Sequence, residues 1–246
     1  MTDSLTSSLL VPIGGGAGPA SVLLPPAGGG IGPYLGVAAH LAGRGPVHGV
    51  RAAGLAPGER PDTDVAVMVD RFWSALAPLG APDLLFGWSL GGCLAWELAT
   101  RYAAGGHRPA VVLVDSPAVP ETVAEHDRAG LRERIVGSTP FSGTETDLLE
   151  RTADAHVTAA MDYRAARTYD GPALYIACTE ENPAHVRAWR RLGADLAVRE
   201  VHCGHFDVLH GPHLAEVLDH IDDFLGALPR GAEQPGSAGE AKEGDR

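Results

Sequence analysis

The chain has 246 residues, 45% of them hydrophobic and 20% charged, enough for one globular domain with a substantial core. Its 19 Lys and Arg stand against 31 Asp and Glu, a net charge of -12, which argues against nucleic acid as a partner because phosphate binding needs a basic face. No apolar run approaches the roughly 20 residues that cross a bilayer, so no membrane partner is expected either.

In chain order, residues 1–20 are rich in Ser, Gly and Pro, and no Lys or Arg precedes their brief apolar stretch. They read as a flexible N-terminal segment rather than a signal peptide. A folded domain is expected over 21–228. Strands are predicted at 22–24, 47–50, 84–87, 111–115, 174–177 and 197–201, and helices near 33–42, 64–79, 90–104, 184–192 and 213–228. Unbroken apolar runs such as AVVLVD and ALYIAC suit strands buried on both faces. Strand and helix alternation of this kind gives an α/β fold with a mostly parallel central sheet and helices on both faces. The rhythm breaks over about 118–168, where two charged helical pieces flank a Thr-Pro-Phe-Ser-Gly break. That stretch reads as a helical lid insertion, with Leu131, Ile135, Leu148, Leu149, Val157 and Met161 available to face a pocket and Pro140 and Gly143 as hinges; an ordinary helical crossover is the plainer alternative. Residues 229–246 have almost nothing apolar and read as a disordered tail.

The chemistry is concentrated in GWSLG at 87–91, a G-x-S-x-G motif. Alone it is weak. Here an apolar strand precedes it and a helical pattern follows, the strand-turn-helix setting of a nucleophile elbow with Ser89 at its tip. A serine hydroxyl needs a positioned base. Asp115 closes the next buried strand and is placed to orient an imidazole. Thr179-Glu180-Glu181, one strand later, offers a rival carboxylate. Of eleven histidines, His205 suits the base best: it lies just past the last strand in CGHFD, where Gly204 lets the loop bend back over the sheet. Developing charge on a substrate oxygen needs backbone donors. The Leu90 N–H supplies one. The loop LLPPAGGGIGPY supplies another at Ala27, since Pro25 and Pro26 have no N–H, and its glycines leave room for substrate.

Other chemistries fit less well. His202, His205, Asp207, His210 and His213 are close in sequence, but an elbow serine needs no metal, and no metal is expected. The glycine run lacks a complete dinucleotide or phosphate-loop pattern, and the only lysine is Lys242, in the tail, so no cofactor of the protein's own is expected. Three cysteines, Cys93, Cys178 and Cys203, fit free thiols in a cytoplasmic protein.

These residues carry a resemblance. LLPPAGGG with the following Tyr34, VHGVRAAGL, GWSLGGCLAWELA, VVLVDSPAVP, ALYIACTEE and VHCGHFDVL together resemble the α/β-hydrolase thioesterases of nonribosomal peptide and polyketide synthases. The resemblance implies an α/β-hydrolase fold with a mobile lid, and a transient acyl or peptidyl carrier protein as partner. It implies a small-molecule acyl substrate held as a thioester on that carrier's phosphopantetheine, and an acyl-Ser89 intermediate. It carries over Ser89, Asp115 and His205 as a triad and Ala27 and Leu90 as oxyanion amides. The Asp at the strand end and the Trp before the serine look more like chain-terminating domains than like editing type II enzymes. Release as acid, release as ring, editing and transfer to an amine or alcohol all remain open, as does whether the chain is free-standing or an excised domain. Arg128, Arg132 and Arg134 form either a docking edge for an acidic carrier or an ordinary solvated helix face.

Overall fold

A computed structural model describes residues 9–120, 125–137, 144–179 and 183–229. Among them seven strands form one sheet: β1 Leu10–Gly14, β2 Ser21–Leu24, β3 Val47–Val50, β4 Leu84–Trp88, β5 Ala110–Val114, β6 Tyr169–Cys178 and β7 Gly193–Val201. The spatial order is β1-β3-β2-β4-β5-β6-β7, antiparallel between β1 and β3 and parallel elsewhere. The helices are α1 Leu35–Leu41, α2 Val65–Leu76, α3 Leu90–Ala104, α4 Glu125–Gly137, α5 Thr144–Asp162, α6 Pro183–Leu192 and α7 Gly211–Ala227. None is long and apolar enough to cross a membrane.

The sheet is covered on both sides, as its apolar runs require. Along β5, Val111 and Leu113 join a core with Met68 and Phe72 of α2, Trp96 of α3 and Trp189 of α6. Val112 and Val114 face the other way, into a core with Val37 and Leu41 of α1 and Val217 and Ile221 of α7. A strand's period of two puts neighbouring residues on opposite faces, so every β5 residue is buried. Helix starts follow local chemistry: Asp64 caps α2, accepting from the N–H groups of Ala66 at 2.7 Å and Val67 at 3.2 Å.

One element departs from expectation. Residues 10–14, read as part of the flexible lead-in, pair with β3 as an edge strand. The edge tolerates Pro12 and a partly exposed face, and this is why no buried-strand signal marks it. The insertion between β5 and β6 holds two helices, α4 and α5. Their facing side chains, Ile135, Ala153, Val157 and Met161, make a small third core. Pro140, Gly143, Glu180, Glu181 and the tail beyond residue 229 lie outside the described residues.

Candidate active site

The order reverses at β2, whose chain neighbour β3 lies on one side while β4 lies on the other. In such a sheet the crevice opens at the carboxyl ends of the strands. Ala27 follows β2, Ser89 follows β4, Asp115 follows β5 and His205 follows β7. All four line one cavity of about 230 Å³.

Ser89 stands at the tip of a tight turn with φ 58 and ψ -128, a conformation costly for a residue with a Cβ. Its N–H is tied to the Val114 carbonyl at 2.9 Å, and its carbonyl accepts from Gly92 at 3.0 Å. The turn demands glycine around it. A Cβ at Gly87 would lie 2.0 Å from the Gly91 carbonyl carbon, one at Gly91 2.3 Å from the Leu24 oxygen, and one at Gly92 2.0 Å from Ser116 Oγ. Below the turn, the Trp88 N–H donates to the buried Tyr34 hydroxyl at 3.0 Å, and that hydroxyl donates to the Trp88 carbonyl at 3.5 Å. Burial holds the phenol far above its ordinary pKa, so it stays neutral.

Asp115 is also held at positive φ, 43. Its side chain is only 4% exposed, while that of His205 is 22% exposed and open to the cavity. Asp115 Oδ2 lies 2.7 Å from His205 Nδ1, and Oδ1 accepts the Cys178 N–H at 3.1 Å from the end of β6. The carboxylate therefore fixes Nδ1 as the protonated nitrogen of a neutral ring and leaves the Nε2 lone pair free to accept a proton. Trp88 and Phe206 pack on the imidazole, with ring centroids 5.0 and 5.1 Å away. Beneath it, the Cys178 and Cys203 sulfurs are 3.7 Å apart, and burial pushes the Cys178 thiol far up in pKa.

Ala27 occupies a turn closed by Gly29 N–H donating to the Pro26 carbonyl at 2.9 Å, with Gly28 at φ 94. Leu90 opens α3, so its N–H has no acceptor within the helix. Of the glycines after Ala27, Gly30 has open space beside it, with nothing within 4 Å of an added Cβ, while Gly28 and Gly29 do not. A Cβ at Gly28 would meet Ile135 Cγ2 at 2.7 Å, and one at Gly29 would meet Ala52 Cβ at 2.7 Å and His156 Cε1 at 3.1 Å. The room at these two glycines is taken by Ile135 and His156 of the cap together with Ala52.

Of the apolar candidates in that cap, Leu131, Ile135, Val157 and Met161 line the cavity; Leu148 and Leu149 are buried without lining it. The three arginines of α4 part company. Arg132 pairs with Asp154 at 3.4 Å, and Arg134 turns into the cavity and stacks over Phe206. His185, which no sequence signal singled out, also lines the cavity, with Nδ1 accepting the Ala118 N–H at 3.2 Å. The clustered histidines separate as well: His202 bonds Thr179 Oγ1 and His210 bonds the Phe206 carbonyl. Among the described residues no three His, Cys, Asp or Glu side chains form a group that could hold a metal ion.

A family model described as "Thioesterase domain" matches residues 22–225. The chain belongs to the thioesterase domain family. It is 29% identical over 196 residues to malpibaldin synthetase of Mortierella alpina, a stretch covering 71% of this chain and 4% of the synthetase. Among solved structures, the Vlm2 thioesterase domain carrying 2,3-diaminopropionic acid with a bound dodecadepsipeptide is 27% identical, with a TM-score of 0.74 over 89% of this chain and 98% of that one. BorB, a type II thioesterase from the borrelidin cluster, shares the fold at 21% identity, with a TM-score of 0.73 over 90% of this chain and 98% of BorB. The seven-stranded, mostly parallel sheet with its helical cap is thus the α/β-hydrolase fold of these thioesterases, and membership makes this thioesterase a hydrolase.

Proposed function

We propose that the protein is a serine thioesterase that takes an acyl or peptidyl chain from the phosphopantetheine thioester of a carrier protein, through an ester on Ser89. The observation that carries this reading is the 2.7 Å contact between Asp115 and His205 in the wall of the cavity that Ser89 lines. Ser89 Oγ attacks the thioester carbonyl while His205 Nε2 accepts its proton; the Ala27 and Leu90 N–H groups hold the developing oxyanion. His205 returns the proton to the departing thiolate. In the second half water, or a hydroxyl or amine of the substrate, attacks acyl-Ser89 with His205 again as base. No cofactor of the protein's own enters either half.

Placement of the acid supports chain release over editing. Asp115 ends the strand next to the elbow strand and already holds His205, and Trp88 stands where type II relatives usually carry histidine. Matched acyl thioesters, first on N-acetylcysteamine and then on a carrier protein, test the reading. Wild type should give free acid or ring by mass spectrometry, and Ser89→Ala should lose at least ~10³ in kcat while keeping its melting temperature within a few degrees. Turnover retained in that variant would sink it.

A further inference from the structure

Outside Ser89, Asp115 and His205, the described lining residues that carry a polar side-chain group are Trp88, Arg134 and His185; the other described lining residues are apolar. All three are hydrogen-bond donors. The Trp88 indole N–H is buried and has no acceptor among the described residues. His185 accepts at Nδ1, so its neutral ring carries the proton on Nε2. Arg134 has five N–H donors and no acceptor. It lies 4.0 Å over the Phe206 ring, and that ring lies 5.1 Å from the His205 ring, so two side-chain contacts link the guanidinium to the imidazole. Unlike Arg132 on the same helix, it has no carboxylate partner among the described residues.

We infer that Arg134 is a specificity-determining residue that binds an oxygen acceptor, above all a carboxylate, carried by the acyl part of the substrate. This rests on the proposed acyl transfer at Ser89. Arg134 offers donors and no acceptor, so it selects a ligand group that brings oxygen acceptors. The apolar remainder, Leu131, Ile135, Val157 and Met161, suits a chain that is otherwise hydrocarbon. Stacking on Phe206 orients the planar fork before the ligand arrives, which lowers the ordering cost of a two-point contact with a carboxylate. A phosphate on the pantetheine arm is the other anionic oxygen in such substrates, but it lies at the far end of the arm, many bonds from the thioester sulfur. A guanidinium two side-chain contacts from the His205 ring lies at the thioester end, within reach of the acyl chain and not of that phosphate.

The test compares hexanoyl and adipoyl thioesters of N-acetylcysteamine, which differ by a terminal carboxylate and carry no phosphate. Wild type, Arg134→Gln and Arg134→Lys are assayed in parallel. The adipoyl-to-hexanoyl ratio of kcat/KM should fall ~10- to 100-fold in Arg134→Gln, mainly through KM, and recover in part in Arg134→Lys. An unchanged ratio overturns the inference, including the case where both substrates slow equally because Arg134 only props Phe206. A loss seen with coenzyme A thioesters of both acids, but with neither N-acetylcysteamine thioester, overturns it in favour of phosphate. Binding of monomethyl adipate and methyl hexanoate to Ser89→Ala, with and without Arg134→Gln, gives a readout independent of turnover: the preference for monomethyl adipate should fall ~10-fold with the arginine removed. If wild type hydrolyses no thioester yet this preference falls, the acyl-transfer reading fails and the Arg134 site stands.

Discussion

The carboxyl edge of the sheet and the α4–α5 cap meet at the same cavity but are built on different terms. At the sheet edge, strands buried on both faces end in residues held by backbone bonds and by glycines that admit no Cβ. The cap is held by a small apolar core, an exposed ion pair and a buried histidine, His156, whose two ring nitrogens have no partner among the described residues. The sheet edge carries the groups proposed for chemistry. The cap supplies six of the fifteen described residues that line the cavity, Leu131, Arg134, Ile135, Val157, Ala160 and Met161. A protein divided this way can change what it accepts without disturbing how it reacts.

The sharpest way to break that division is at the sheet edge. Asp115→Asn should cost ~10²–10⁴ in kcat, because the amide favours the wrong imidazole tautomer while the fold is kept. A small loss would move the acid elsewhere, to Glu180 or Glu181. Next comes the elbow itself: Gly87→Ala should destabilise by about 3 kcal/mol, since its Cβ would collide with Gly91 backbone, and thermal melts would read this directly.

The cap should fail differently, through pH. Burial lowers the His156 pKa from 6.5 to about 4, slightly opposed by Asp62, so the ring is neutral when the cap is seated. A depressed folded-state pKa means that the unfolded or open form binds the proton first. The stability it gives is therefore full above 6.5 and is lost as pH falls toward about 4. The total is about 3 kcal/mol. Melts of wild type from neutral pH downward should drop more steeply than those of His156→Leu, and parallel curves would refute the assignment. The smallest effect is expected at the exposed Arg132–Asp154 pair, where Arg132→Ala should change stability by less than about 0.5 kcal/mol.

Much of the sheet edge was legible because its signals are local. AVVLV and ALYIAC announce buried strands, and GWSLG brings its own turn geometry. Asp115 and His205 could be chosen because strand ends converge in a parallel sheet, and the structure places the two side by side. What stayed hidden depends on tertiary approach. His185 reaches the cavity only because α6 packs beside β7. Arg134 differs from Arg128 and Arg132 by its place around α4, and the ring it meets lies far along the chain. The glycines at 28 and 29 read as free space because the side chains that fill it, Ile135 and His156, come from the insertion. The edge strand β1 carries no periodic burial that could set it apart from a loop.

The left-handed turn at Ser89 has a consequence for directed evolution. A serine at φ 58 and ψ -128 holds about 1–3 kcal/mol of backbone strain that glycine would release. A library sorted only for heat resistance or soluble yield should therefore enrich glycine at position 89, and the variants that look fittest in the tube would be the ones that have discarded the proposed nucleophile. Selection on this scaffold has to score turnover in the same round as survival.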